Sequence, residues 1–140
     1  ACSTGTFIHQ LALALPDSRC IGSDRSPSMI EAARSRYGCS VDIRLADAAD
    51  ADPVSLYCDV LVLRFLNAEV MTRSEAEQLL PRLVETLVAG GRLIVFGHTP
   101  VLPAMDYLAS RCALTLVSRL ASCSVTGQLF QFYVLTKDAR

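Results

Sequence analysis

The chain has 140 residues, a formal net charge of −1, 51% hydrophobic residues and 19% charged residues. This is enough apolar material for one packed domain and excludes a disordered chain. No run of eighteen apolar residues is present, so no membrane span is expected, and the lack of a basic run or of aromatics interleaved with Arg and Lys argues against nucleic acid as a partner.

The first stretch, ACSTGTFIHQ, is a loop of small residues running into an apolar segment. From Thr6 to Leu15, Phe7, Ile8, Leu11, Leu13 and Ala14 fall at helical spacing, and Pro16 with Asp17 stops the helix. Arg19 to Ser23 reads as a short buried strand ending at Asp24. Ser26 caps the next helix, Pro27 suits its first position and Gly38 its end, with Met29, Ile30, Ala33 and Tyr37 on one face. Ser40 to Leu45 alternates as a strand, and Asp47 to Pro53 is an acidic loop.

Asp59 to Leu63 is a continuous apolar run, as expected of a strand covered on both faces. Thr72 and Glu75 form a capping box opening a helical stretch, and Pro81 predicts a kink or a division into two short helices. Gly90 and Gly91 close that region before a covered strand over Arg92 to Phe96. Leu102 to Arg111 is helix-like. Leu114 to Leu120 and Leu129 to Thr136 are strands of a closing hairpin turning near Val125–Gly127.

Alternation of strands and helices predicts an α/β fold with a mostly parallel sheet and an antiparallel last strand, forming a single domain over residues 1–140. The six cysteines contain no C-x-x-C pair and there are two histidines, so no metal site is expected. The cysteines read as buried free thiols of a reducing, cytoplasmic protein.

In open parallel sheets, ligands sit beyond the carboxyl ends of the strands. The segments there are Ala1–Thr6, Asp24–Arg25, Asp47–Ala48, Arg64–Asn67 and Gly97–Thr99. A carboxylate at Asp24 suits two ribose hydroxyls, and Asp47 suits the edge of an adenine, so the strand ends together favour a nucleoside ligand. The dinucleotide pattern G-x-G-x-x-G is not met, because Ala1, Ser3 and Thr6 stand at its three glycine positions.

ACSTGTF followed by IGSDRSPSMIEAAR resembles the cofactor half of class I S-adenosylmethionine-dependent methyltransferases. LADAAD, CDVLVLRFLNAEV and LLPRLVETLVAGGRLIVFG resemble later segments of that family, in order and at matching spacing. The resemblance implies a three-layer Rossmann-like fold with S-adenosyl-L-methionine as cofactor. The residues it assigns to cofactor binding are Ala1, Cys2, Ser3, Gly5, Asp24, Arg25, Met29, Asp47, Ala48 and Arg64.

The family loop reads roughly G-C-G-T-G-x-F, so Ala1 and Ser3 replace two of its glycines. A negative φ would accommodate Ser3, whose hydroxyl could then bond the ligand. The family's first strand, its acidic residue and the N-terminal helices have no counterpart in this sequence. An upstream segment or another chain is expected to supply the strand, between those containing Arg19 and Asp59. The resemblance implies methyl transfer, with a small molecule as the default acceptor; His98, just past the strand over Arg92 to Phe96, is a candidate base or orienting group by its position, the alternative being a structural histidine bonded to a loop carbonyl. The alternative is a non-catalytic methyltransferase-like binding or scaffold module. A nucleotide-binding enzyme such as an NAD-dependent one is the third reading.

Overall fold

Strand pairing sorts the six strands of the computed structural model into two sheets, and the chain divides into two compact units, residues 1–50 and 51–140. The structure describes residues 2–50, 57–66, 68–123 and 129–139. The expected turn at Val125–Gly127 lies outside the described residues.

In the first unit, α1 (Thr6–Ala14) is followed by β1 (Ile21–Asp24), α2 (Pro27–Tyr37) and β2 (Asp42–Leu45). β1 and β2 pair in parallel, with Asp24 opposite Leu45. Ile8, Ile30, Ala33 and Ile43 form the core, each side chain brought inward from a different turn or strand position. Burying each isoleucine stabilises the unit by roughly 1.5–3 kcal/mol. Ser26 caps α2 by accepting the Met29 N–H, and Pro27 occupies its first turn, where no intrahelical donor is needed.

The second unit contains β3 (Cys58–Leu66), α3 (Arg73–Glu85), β4 (Leu87–His98), α4 (Met105–Cys112), β5 (Leu114–Cys123) and β6 (Leu129–Lys137). The sheet order is β3-β4-β6-β5; β3 and β4 are parallel, and β6 runs antiparallel to both β4 and β5. The last strand thus inserts between its two neighbours, and it alone reverses direction, as the alternation and closing hairpin predicted. Leu93, Val95, Tyr133 and Leu135 lie on the buried face of β4 and β6, together with the buried residues of α3 and α4.

Several local expectations are corrected. α3 is one helix through Pro81. Proline has no N–H to give to the carbonyl of Glu77, four residues earlier. The Tyr107 hydroxyl of α4 donates to that carbonyl instead. Met29 does not share the buried face of α2: it is 40% exposed, whereas Ile30 and Ala33 are buried. β4 begins at Leu87, ahead of the Gly90–Gly91 pair, and absorbs it as an irregularity. Gly90 takes φ +76 and Gly91 lies so close to the Asp59 carbonyl that a Cβ would stand 3.1 Å from it. The thiols are not uniformly buried either; Cys112 is, while Cys39 is exposed.

Candidate cofactor site

The loop before α1 is held by its own backbone. The Cys2 N–H donates to the Ser23 carbonyl of β1 at 2.7 Å, and the Gly5 N–H donates to the Cys2 carbonyl at 3.1 Å. The Ser3 N–H donates to Asp24 Oδ2 at 2.9 Å. Asp24 Oδ1 accepts the Ser26 N–H at 3.0 Å. One carboxylate, 8% exposed, therefore ties the loop to the start of α2.

Ser3 does not take the negative φ that would accommodate its side chain: it sits at φ +51. Residues with a Cβ are strained there, which is why glycine is the ordinary occupant of such a position. Its hydroxyl does not point into open space but approaches Met29 Sδ at 3.8 Å. Gly5, at φ +80, needs its lack of a side chain for a second reason. A Cβ there would stand 2.9 Å from Ile43 Cδ1 and 3.1 Å from Ala33 Cβ. It is buried against α2 and β2 and lets α1 pack on them. Gly22 serves the loop in the same way, since a Cβ would stand 2.9 Å from Cys2 Cβ.

Cys2, Ser3, Asp24 and Met29 are thus brought together. Arg25 follows them on the exposed surface. Asp47 and Ala48 lie just past β2, whose end is joined to β1 by the Ala46 N–H donating to the Asp24 carbonyl at 3.0 Å. Asp47 Oδ1 accepts the Ala49 N–H at 2.9 Å, which starts the short 3₁₀ turn over Ala48–Asp50. Ala1 lies outside the described residues, as does Asn67.

Burial, with Asp24 nearby, holds the Cys2 thiol above its ordinary pKa, so it stays protonated and is a poor nucleophile. A depression of about 470 Å³ lined by Arg34, Gly38, Cys39, Val41, Asp42 and Ile43 opens at the amino end of β2. That is the opposite end of the strand from Asp47, and no predicted site residue lines it.

In the second unit, Arg64 is half-buried on β3 and is engaged by neighbours. His98 closes β4, its ring centroid 3.9 Å from that of Phe130. Its Nε2 is buried and has no hydrogen-bond partner among the described residues. Two buried polar residues of β6, Gln131 and Tyr133, paired with Gly97 and Val95 and so on the sheet face opposite to the His98 side chain, escaped the sequence reading. Their signal was present: in the alternating run FQFYVLTK they share the inward phase with Leu135.

The donor set can be tested against an adenosine-bearing cofactor. Asp24 is a buried acceptor at a strand's carboxyl end, and each of its oxygens keeps a second lone pair beyond the amide it holds. That suits a ribose diol. The amides of Cys2, Ser3 and Gly5 are already engaged, so these three donors are not available to a ligand. Among the described residues no helix is long and apolar enough to cross a membrane, and no cluster of three His, Cys, Asp or Glu residues would hold a metal.

Residues 1–91 match the family model described as a methyltransferase domain. The chain is 35% identical over 140 residues to isonocardicin synthase from Nocardia uniformis subsp. tsuyamanensis, covering 98% of this chain and 44% of that protein. It is 36% identical over 94 residues to trans-aconitate 2-methyltransferase from Methylobacterium radiotolerans, covering 67% of this chain and 34% of that one. It therefore spans less than half the length of these relatives. The N-methyltransferase NodS from Bradyrhizobium japonicum WM9, solved in complex with S-adenosyl-L-homocysteine, shares the fold. Its TM-score is 0.75 at 17% identity, covering 99% of this chain and 76% of that one. With its ordered loop, strand-end carboxylate and reversed last strand, the chain belongs to the class I S-adenosylmethionine-dependent methyltransferase family.

Proposed function

We propose that the protein transfers a methyl group from S-adenosyl-L-methionine to a small-molecule acceptor. The observation that carries the reading is Asp24, a buried carboxylate at the end of β1 that organises the loop and keeps acceptor capacity for two hydroxyls. The names of the relatives, trans-aconitate 2-methyltransferase among them, support a small acceptor.

The cofactor, when bound, supplies an activated methyl group on a sulfonium. The chain's own residues then have three tasks. Asp24 orients the ribose, and the Cys2–Gly5 loop, its Cys2, Ser3 and Gly5 amides engaged internally, shapes the wall against which the remainder of the cofactor lies. Asp47 and Ala48, at the end of β2, border the base. His98 is the proposed base or orienting group on the acceptor side, since its Nε2 has no hydrogen-bond partner among the described residues. Arg64, on β3, is proposed as a further cofactor-binding residue.

The reading further takes residues 1–140 as parts of one methyltransferase domain in the cytoplasm, with a strand from outside this sequence running beside β1. The bond from Cys2 to Ser23 supports the strand, and the free cysteines support the reducing setting. A second reading, a non-catalytic binding or scaffold module, is favoured by one observation: Ser3 holds a strained φ where the family loop has glycine.

Calorimetry on the full-length protein with S-adenosylmethionine, S-adenosylhomocysteine and NAD separates these readings. Binding of the first two but not NAD is expected. No binding of either would end the proposal, and tight binding without turnover over a broad acceptor panel would favour the module.

A further inference from the structure

The buried face of β4 and β6 is apolar except at one end. Leu93, Val95 and Leu135 are 0–1% exposed, yet Gln131 and Tyr133 occupy the same face at 7% and 5%. Burying an amide and a phenol there is unfavourable unless each is hydrogen-bonded, and two apolar residues would fill the space without that requirement. The polar pair is fully directed. The Tyr133 hydroxyl donates to Gln131 Oε1, and Gln131 Nε2 donates to Thr99 Oγ1 at 2.7 Å.

Thr99 immediately follows His98. Its carbonyl accepts Arg73 Nη2 at 2.7 Å, and the Pro100 carbonyl accepts Arg73 Nε at 3.1 Å. The His98 carbonyl accepts the N–H groups of Val101 and Leu102, both at 3.0 Å. On its other side His98 is locked in the ladder opposite Phe130, against which its ring rests. The backbone on either side of His98 is thereby fixed, and its buried Nε2 has no hydrogen-bond partner among the described residues.

We propose that Gln131 is a positioning residue for His98. Through Thr99 it sets the backbone just past β4, and with it the direction of the imidazole; Tyr133 holds the Gln131 amide in the required orientation. A hydrogen-bonded chain in a low-dielectric face specifies one geometry, where an apolar contact would allow sliding. This inference rests on the reading of His98 as base or orienting group.

The test is NMR of the histidine side chains in the full-length protein, made simple because this sequence contributes only His9 and His98. His98→Asn assigns the signal. The wild type is expected to give one sharp His98 imidazole cross-peak. Gln131→Met, which keeps volume and removes both polar contacts, should broaden or split it while the His9 peak stays in place. Thr99→Val should do the same, Thr99→Ser should preserve the wild-type peak, and the Gln131→Met/Thr99→Val pair should be no worse than either single change.

An unchanged His98 peak in Gln131→Met, with the variant folded, would overturn the inference. So would additive effects in the double variant. Absence of S-adenosylhomocysteine binding by the wild type would instead end the proposed function, and it would leave the NMR outcome free to stand or fall separately.

Discussion

The amide of Ser3 and the carboxylate of Asp24, 21 positions apart in the chain, are joined by a 2.9 Å hydrogen bond that orders the loop before α1. The same carboxylate holds the Ser26 amide. Asp24 thus has a structural duty in addition to its proposed contact with ribose, and the two duties predict separable effects. Asp24→Ala leaves two amides without their acceptor and removes the ribose partner. It is expected to weaken S-adenosylhomocysteine binding by about 1–3 kcal/mol, roughly 5- to 150-fold, with a parallel loss of stability. Asp24→Asn keeps one acceptor oxygen but turns its NH2 toward the second amide, so it should lose both stability and affinity, each by less than Asp24→Ala. Calorimetry and denaturant melts on the full-length protein measure both; unchanged affinity in Asp24→Ala would refute the ribose assignment.

Ser3 is strained at φ +51, and so is Ala113, which ends α4 at the same φ. Replacing either by glycine is expected to stabilise the protein by about 0.5–1 kcal/mol, the relief of strain being partly offset by greater freedom of the unfolded chain. The reverse change, Gly5→Ala, should be destabilising by about 2 kcal/mol or more, because the new Cβ meets Ile43 as well as an unfavourable φ. Urea denaturation compares the three variants. A destabilised Ser3→Gly would mean that its hydroxyl contact with Met29 outweighs the backbone term.

Tyr107 repairs the gap that Pro81 leaves in α3. Tyr107→Phe should therefore destabilise by about 1–2 kcal/mol, the cost of leaving the Glu77 carbonyl unsatisfied. In a Pro81→Ala background the helix can supply its own donor to Glu77, and the same substitution should cost much less. A double-mutant cycle with a coupling of about 1 kcal/mol is the expected result, and strict additivity would show that the two residues act independently.

Asp42 accepts from Arg44 at 2.7 Å and from Arg19 at 3.3 Å, and these bonds, Arg44 first, hold its carboxyl below the usual range. A depressed folded-state pKa stabilises the fold above the unfolded value, and the contribution disappears as pH falls through the folded value. The difference in melting temperature between wild type and Asp42→Asn should thus be present near neutrality and vanish well below about pH 4. Both partners are largely solvated, so the difference should be small and should shrink with added salt. A difference that persisted in acid would assign the effect to something other than the ion pair.

Much of this protein was legible in its residues alone. The order of helices and strands, the Ser26 and Thr72 caps, the reversed last strand and the family resemblance all rest on local rules: apolar spacing, side chains that cap a neighbouring amide, and turn residues with few backbone options. What only the tertiary structure decided depends on atoms far apart in sequence. Pro81 did not divide its helix because Tyr107, on another helix, supplies the missing donor. Ser3 took a strained φ because its amide is drawn to Asp24. Gly5 proved to be a packing residue because α2 and β2 approach it within van der Waals distance. Gln131 and Tyr133 are accommodated on a buried face because Thr99, 32 positions before Gln131, accepts from the Gln131 amide, which in turn accepts from Tyr133. Local energies are short-ranged and can be read from neighbours in the chain, whereas satisfying a buried polar group or filling a particular volume is a condition on the whole fold.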